Sequence, residues 1–285
     1  MPTQLKPEAA DLREPEARSA LRSGARTGST QTGLSNVIPP TRTDAPDSII
    51  GGTLVRRGDF PDCCAVGDEH QYYCSGTLIA PNVVVTAGHC CEATRVFLRG
   101  NNVDHSDDDA EVINVKKVTD ESGFERLLDF RHPDPKVDLR LLILERNSTV
   151  PPRRIAQESD LEGVEEVMLV GFGTIDLAGT MGYGTKRQVT VPIETLDCTE
   201  PEIADQRGCR EDYEIVAGHR GLLRDTCRGD SGGPLYIEGE DGSYLLLGAT
   251  SRGAWGSDKC CGDGGIYVRV DKFLDWIQSA PGAEF

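Results

Sequence analysis

The sequence predicts an all-β fold over residues 49–285, either an antiparallel sandwich or a pair of barrels. From Ile49 onward, short β-branched or aliphatic runs alternate with Gly, Asp and Asn turns, as in a sheet that reverses direction many times. Only Lys272–Ser279 has helical periodicity, which puts Phe273, Trp276 and Ile277 on one side. Strands are expected at Gly76–Ala80, Val83–Ala87, Val96–Leu98, Val112–Val118 and Leu139–Leu144. Further strands are expected at Val167–Gly171, Val189–Ile193, Leu245–Thr250 and Ile266–Val270. No internal repeat is visible, and 285 residues suffice for one large domain or two small ones.

Residues 1–48 have a different texture. They are rich in Ser, Thr, Gly, Pro, Arg and Glu and poor in large apolar side chains, so burial cannot offset their ordering entropy. A disordered leader or propeptide is expected, with any short helix over Pro7–Arg22 interrupted at Pro15. Its one apolar patch, Val37-Ile38, runs into Pro39-Pro40, which favour an extended linker.

The net charge is −17 and is unevenly placed. The leader balances six basic side chains against six acidic ones, leaving 24 basic and 41 acidic in residues 49–285. Such a surface repels nucleic acid and anionic membranes and attracts cationic substrates, so neither nucleic acid nor a membrane is expected as a partner. The same charge also serves plain solubility.

Ten cysteines point to an oxidising compartment, and no Cys-x-x-Cys pair suggests a zinc site. Yet Met1 to Gly28 contains no apolar run, so no signal peptide is visible, and no stretch is long enough to span a membrane. A secreted protein is expected, with either its true start missing from the sequence, the preferred reading, or an unconventional export route.

Residues 227–234 read Cys-Arg-Gly-Asp-Ser-Gly-Gly-Pro, a serine in a tight, glycine-lined turn whose N–H groups can converge on one spot. A serine hydroxyl needs a base and an orienting carboxylate to act as a nucleophile. Both types stand upstream, in Thr86-Ala87-Gly88-His89-Cys90 and Val137-Asp138-Leu139-Arg140-Leu141-Leu142. With these motifs the sequence resembles the trypsin branch of the chymotrypsin-like serine proteases, whose chain order is also His, Asp, Ser. His70, His105, His132 and His219 lie in polar contexts that suit ordinary surface roles.

The resemblance implies two packed six-stranded antiparallel barrels with a C-terminal helix and a catalytic cleft between them. It assigns His89 as general base, Asp138 as its orienting carboxylate and Ser231 as nucleophile, with Gly229 and Ser231 N–H groups as the oxyanion hole. Asp225, six residues before Ser231, falls where trypsin-like enzymes keep the carboxylate that selects Arg or Lys. Gly253 and Gly265 match pocket-wall glycines, and Ser251 begins the matching Ser-x-Gly segment. Asp230 matches the partner of an amine freed by activation, here that of Ile49 in Ile49-Ile50-Gly51-Gly52. The implied protein is a zymogen that an activating protease opens and that cleaves protein or peptide substrates after Arg or Lys. No cofactor or metal is required.

Several positions depart from the family pattern. Arg252 replaces the usual Trp between Ser251 and Gly253, which puts the subsites beside the pocket in question. Val216-Ala217-Gly218 lacks a cysteine found in relatives, leaving Cys209 as the candidate partner of Cys198. The resemblance pairs Cys90 with Cys74, and Cys227 with either Cys260 or Cys261. The adjacent pairs Cys63-Cys64, Cys90-Cys91 and Cys260-Cys261 suggest extra disulfides of open connectivity. The Asn101–Glu111 loop, with Asp104, Asp107, Asp108, Asp109 and Glu111, matches a calcium loop of relatives, although Asn101 replaces a ligand glutamate. A solvated acidic loop is the commoner reason for such clustering. Two alternatives to the protease reading remain: a catalytically silent protease-like binding protein, which would normally lack a triad member, and an esterase-like hydrolase, disfavoured by motif order and Asp225.

Overall fold

The apolar runs of this sequence are strands buried on both faces. A computed structural model describes residues 49–104, 109–257 and 259–285. The expected leader, with its interrupted helix over Pro7–Arg22, lies outside the described residues, as does His105.

After a short β1 (Thr53–Leu54) come β2 (Cys63–Gly67), β3 (Tyr72–Ala80), β4 (Val83–Thr86), β5 (Arg95–Leu98) and β6 (Glu111–Asn114). A small hairpin, β7 (Lys117–Thr119) and β8 (Glu125–Leu127), precedes β9 (Asp129–Arg131) and β10 (Arg140–Ile143). One antiparallel sheet runs β6-β5-β2-β3-β4-β10-β9, curled so that Val115 bridges Leu144. The second half contains β11 (Glu166–Gly171), β12 (Arg187–Thr195), α1 (Pro201–Arg207), β13 (Glu214–Ala217), β14 (Pro234–Glu238), β15 (Tyr244–Gly253) and β16 (Gly265–Arg269). Its order β12-β11-β14-β15-β16-β13 closes through β12–β13 into a six-stranded barrel, with β1 alongside β12. The chain ends in α2 (Leu274–Gln278). The fold is therefore the expected chymotrypsin-like one, with the second barrel fully closed and the first a half-barrel joined at its rim by a single bridge.

Strand periodicity explains the core. On β2, Cys64 and Val66 face the interior of the first barrel with Leu78, Val84, Leu98 and Ile113. Their neighbours Cys63 and Ala65 face the other way, into a layer shared with Val170, Phe172, Tyr236 and Leu246 of the second barrel. β10 repeats the pattern, with Leu142 inward and Leu141 and Ile143 in the shared layer. Val167, Leu169, Val189, Val191, Leu235, Leu247 and Tyr267 fill the second barrel. Buried Asp62 ties the layers together, accepting hydrogen bonds from Arg153 Nε at 3.0 Å and the Tyr236 hydroxyl at 2.6 Å.

The structure corrects some expectations. The expected strand Val112–Val118 breaks into β6 and β7, whose partners differ: β5 for the first and β8 for the second. The helix α1 is not foreseen in the sequence because its buried residue is Arg207 and Ala204 is its one apolar side chain packed on a core cluster, which leaves no apolar periodicity; Pro201 starts it, and Gly208 in the left-handed region stops it. Disulfides join Cys74–Cys90, Cys198–Cys209 and Cys227–Cys261, while Cys63, Cys64, Cys91 and Cys260 remain thiols. The adjacent pairs therefore add no bridge: Cys63 and Cys64 point to opposite faces of β2, and burial pushes the Cys63 thiol up to about 12 and Cys64 well above its ordinary value. α2 behaves as expected, with Ile277 buried and Phe273 and Trp276 packed edge-on to His132 at 4.9 and 5.0 Å between ring centres. No helix among the described residues is long and apolar enough to cross a membrane.

Candidate active site

The two barrels each bring half of the predicted constellation to one place. From the first, His89 follows β4 and is anchored by the Cys74–Cys90 disulfide, while Asp138 precedes β10. The two segments lock together: His89 donates its backbone N–H to Asp138 Oδ1 at 2.9 Å, and its ring Nδ1 lies 2.8 Å from Oδ2. From the second barrel, Ser251 Oγ donates to the same Oδ2 at 2.7 Å. Burial raises the Asp138 pKa, but the hydrogen bonds from His89 and Ser251 outweigh it and hold the carboxyl below its ordinary value. Asp138 is thus kept ionised against an imidazole that is more exposed than it is.

Ser231 sits in the turn before β14, and its backbone is tied to the first barrel. Its carbonyl accepts from Ser75 N–H at 2.8 Å, and Cys90 Sγ lies 3.7 Å away. Ser75 Oγ donates to the Gly229 carbonyl at 2.9 Å. No hydrogen bond joins Ser231 Oγ to His89 among the described residues, a contact that commonly tightens only with substrate. The N–H groups of Asp230, Gly232 and Gly233 are used by the carbonyls of Cys227, Thr250 and Asp230. Those of Gly229 and Ser231, the predicted oxyanion donors, have no acceptor among the described residues. Gly229 takes φ +93°, and a Cβ there would overlap the Tyr183 ring, so only glycine can present its N–H this way.

Asp225, the carboxylate expected to select the substrate cation, is 3% exposed. Thr226 N–H donates to its Oδ1 at 2.8 Å, and Gly262 and Gly264 N–H to its Oδ2 at 2.9 and 3.2 Å. Burial raises its pKa to about 6 against the opposing pull of those backbone donors. Gly253 and Gly265 face each other across β15 and β16. A Cβ on Gly253 would meet nothing closer than the Cys260 carbonyl at 4.0 Å, so the wall there is open. Gly265 instead backs onto Tyr267, whose hydroxyl lies 3.1 Å from Thr226 Oγ1.

Asp230 is fully buried. Its carboxylate accepts from Gly173 N–H at 2.7 Å and Cys227 N–H at 2.8 Å, and no basic side chain pairs with it among the described residues. Burial pushes its pKa up to about 7, with those two donors acting in the opposite direction. Gly173 is required by close approach, since a Cβ there would overlap the carboxylate. Ile49 is also fully buried, within the second barrel's core, and Ile50 bridges to Asp225.

The departures from the family pattern have structural answers. Arg252 is not a free charge: its guanidinium bonds Glu214 at 2.8 and 2.7 Å and the Gly208 carbonyl at 3.0 Å. Arg210 contributes a further 3.0 Å bond to Glu214, which is fully buried. The Ser251 side chain serves Asp138 rather than an open subsite, and a bulge leaves it out of the β15–β16 ladder. Cys198 does find Cys209. In the acidic loop, Asp109 pairs with Arg57 at 2.7 Å and Glu111 accepts from Arg146 at 3.2 Å, so two of the clustered carboxylates are already neutralised; Asp107 and Asp108 lie outside the described residues.

Ser75, Thr226, Tyr267 and Glu214 support the site and were not singled out from sequence. Only Ser75, beside a half-cystine, and Thr226, beside Asp225, carried a local signal. Cavity size is no guide here. Hollows of about 770 Å³ beside Glu162 and Glu238 and about 640 Å³ beneath Trp255 include none of His89, Asp138 or Ser231, so hydrogen-bond geometry and burial define the site.

Comparison with known proteins identifies the family. The family model described as Trypsin matches residues 49–277. Kallikrein 1-related peptidase b3 of Mus musculus is 31% identical over 262 residues, covering 85% of this chain and 92% of that protein. Kallikrein-8 of Homo sapiens is 29% identical over 253 residues, covering 84% and 88%. With its closed barrel, its half-barrel and a family match across most of its length, this chain belongs to the trypsin-like serine proteases of the chymotrypsin family.

Proposed function

We propose that this protein is a serine endopeptidase that cleaves after Arg or Lys, and that it is made as a zymogen. The observation that carries the substrate class is Asp225, a buried carboxylate beside an open wall at Gly253. A guanidinium or ammonium entering there exchanges water for a desolvated ion pair, a gain no apolar side chain can make.

Ionised Asp138 holds the His89 ring through Nδ1, leaving Nε2 to accept the Ser231 proton as Oγ attacks the scissile carbonyl. Negative charge then develops on the carbonyl oxygen, within reach of the unused Gly229 and Ser231 N–H groups. Protonated His89 delivers its proton to the leaving amine, and a water activated by the same base hydrolyses the acyl-enzyme.

The zymogen reading is supported by the burial of Asp230 with no basic side chain opposite it among the described residues. Cutting between Ser48 and Ile49 frees an amine that supplies that charge. Ser48 is neither Arg nor Lys, so a separate activating protease is required, unless trimming starts at Arg42 and an aminopeptidase completes it. Three disulfides suit an exported protein. The test is digestion of an unstructured protein by activated material, with every cleavage site read by mass spectrometry. Cuts after Arg and Lys, absent in a Ser231→Ala control, are expected; cuts without that preference, or no cuts, overturn the reading.

A further inference from the structure

The Cys227–Cys261 disulfide has a third sulfur beside it. The Sγ atoms of Cys227, Cys260 and Cys261 all lie within 4.8 Å of one another, and Cys260 is an exposed thiol. The disulfide itself is nearly sealed, with Cys227 9% and Cys261 4% exposed. A thiol already held at a disulfide attacks it at a far higher effective concentration than any thiol from solution.

We propose that these three cysteines form a thiol–disulfide exchange site on the frame of the specificity pocket. The Cys260 thiolate attacks Cys227 Sγ, forming a Cys227–Cys260 bond. The Cys227–Cys261 bond breaks, and its electron pair leaves on the Cys261 sulfur, which takes up the proton that Cys260 released. One thiol and one disulfide enter and leave, so the step needs neither oxidant nor reductant.

The exchange reaches the pocket through one peptide bond. Cys261 directly precedes Gly262, whose N–H donates to Asp225 Oδ2 and whose carbonyl accepts from Leu223 N–H at 3.0 Å. Gly264 N–H donates to the same carboxylate oxygen. Moving the anchor back by one residue displaces it by up to about 3.8 Å of chain, more than either hydrogen bond can follow. The isomer therefore holds Asp225 with fewer donors and presents a weaker anion. This consequence for cleavage rests on the reading of Asp225 given above; the exchange itself does not.

The test uses the full chain, incubated at neutral to mildly alkaline pH without added thiol and then quenched with acid. Free thiols are blocked with light N-ethylmaleimide, the remaining cysteines are reduced and blocked with the heavy reagent, and the peptide containing Cys260 and Cys261 is sequenced by tandem mass spectrometry. Two populations are expected, one with the light label on Cys260 and one with it on Cys261. Light label confined to Cys260 overturns the proposal. In a Cys261→Ser variant, Cys227 and Cys260 should form the alternative bridge, and kcat/KM for an Arg substrate should fall roughly tenfold or more relative to Cys260→Ser. Free thiols at both Cys227 and Cys260 in that variant also overturn it. Cys260→Ser, which removes only the attacking thiol, should keep parental activity and show no drift in rate during the same incubation; a persisting drift counts against the proposal. Because the label distribution is read without any activity, failure of the exchange is told apart from failure of the protease reading.

Discussion

Replacing Asp225 with Ser should convert a cation-selective pocket into an indifferent one. The carboxylate is buried, receives three backbone N–H donors at 2.8 to 3.2 Å, and has a pKa of about 6. Near neutral pH it is therefore a negative charge already desolvated and fixed in place. Truncating one member of a buried, hydrogen-bonded charge pair costs about 2–5 kcal/mol, or roughly 30- to 5,000-fold in kcat/KM for Arg and Lys substrates. An apolar side chain at the same position makes no such pair, so its kcat/KM should change less than about threefold. The assay compares matched peptide substrates ending in Arg, Lys, Phe and Leu, using protein cut before Ile49, with a thermal melt to check folding. A second readout comes from pH. In the parent, the Arg-to-Phe ratio of kcat/KM should fall as pH drops through about 6, because Asp225 becomes protonated there, while effects common to both substrates cancel in the ratio. An equal loss on all four substrates, or a parent without Arg or Lys preference, refutes the assignment of the pocket.

Four further outcomes are expected. Ser231→Ala should leave the melting temperature unchanged and lower kcat by about a thousandfold or more in steady-state assays, since no other group can form the acyl-enzyme. The intact chain should be inactive until its new N-terminus sequences as Ile49, and full activity with residues 1–48 attached refutes the zymogen reading. Burial pushes the Asp230 pKa of the intact chain up to about 7, well above that of an exposed aspartate, so the folded state binds the extra proton between those values; stability should fall as pH rises from about 4 to 7, and urea unfolding of the intact chain with no such slope contradicts the burial argument. Glu214→Gln removes the buried carboxylate on which Arg210 and Arg252 converge; because both guanidiniums are partly exposed, the loss should be about 1.5–3 kcal/mol of unfolding free energy, and a loss below ~0.5 kcal/mol in urea titration shows that the network is dispensable.

What could be read from sequence was whatever carried its own chemistry locally. His89, Asp138 and Ser231 each lie in short segments whose neighbours fix the backbone, and the structure brings two of them into direct contact at 2.8 Å. Strands were legible at Val83–Thr86 and Arg140–Ile143, whereas Cys63–Gly67, Glu214–Ala217 and Pro234–Glu238 were not expected, although nearly all of their residues are buried. Contacts between distant segments left no trace. Ser75 reaches Gly229 across 154 positions, and Arg252 meets Glu214 across 38. Neither partner looks unusual alone. The choice of Cys261 over Cys260 was also illegible, because adjacent residues share one sequence context and differ only in which way the chain turns them.

Segment 225–233 explains why specificity, oxyanion binding and activation should change together. Within nine positions it carries the proposed pocket carboxylate, a disulfide sulfur, both candidate oxyanion donors and the proposed nucleophile. Asp230 sits at its centre and grips Cys227 N–H with one carboxylate oxygen and Gly173 N–H with the other. The first bond fixes the segment on itself, and the second fixes it to the end of β11. An uncompensated charge at Asp230 weakens its own acceptor role, because the group is pushed toward protonation near neutral pH. In the proposed activation, an amine arriving from Ile49 would reverse that push and strengthen both bonds. The gain is then spread along a stretch that is also anchored by backbone hydrogen bonds to Ile50, Ser75, Thr174 and Thr250, by the Gly262 and Gly264 N–H groups at Asp225, and by the Cys227–Cys261 disulfide. A single ion pair thus has the leverage to order pocket and oxyanion donors as one unit, whereas a disulfide alone, already formed in the intact chain, cannot report whether cleavage has occurred.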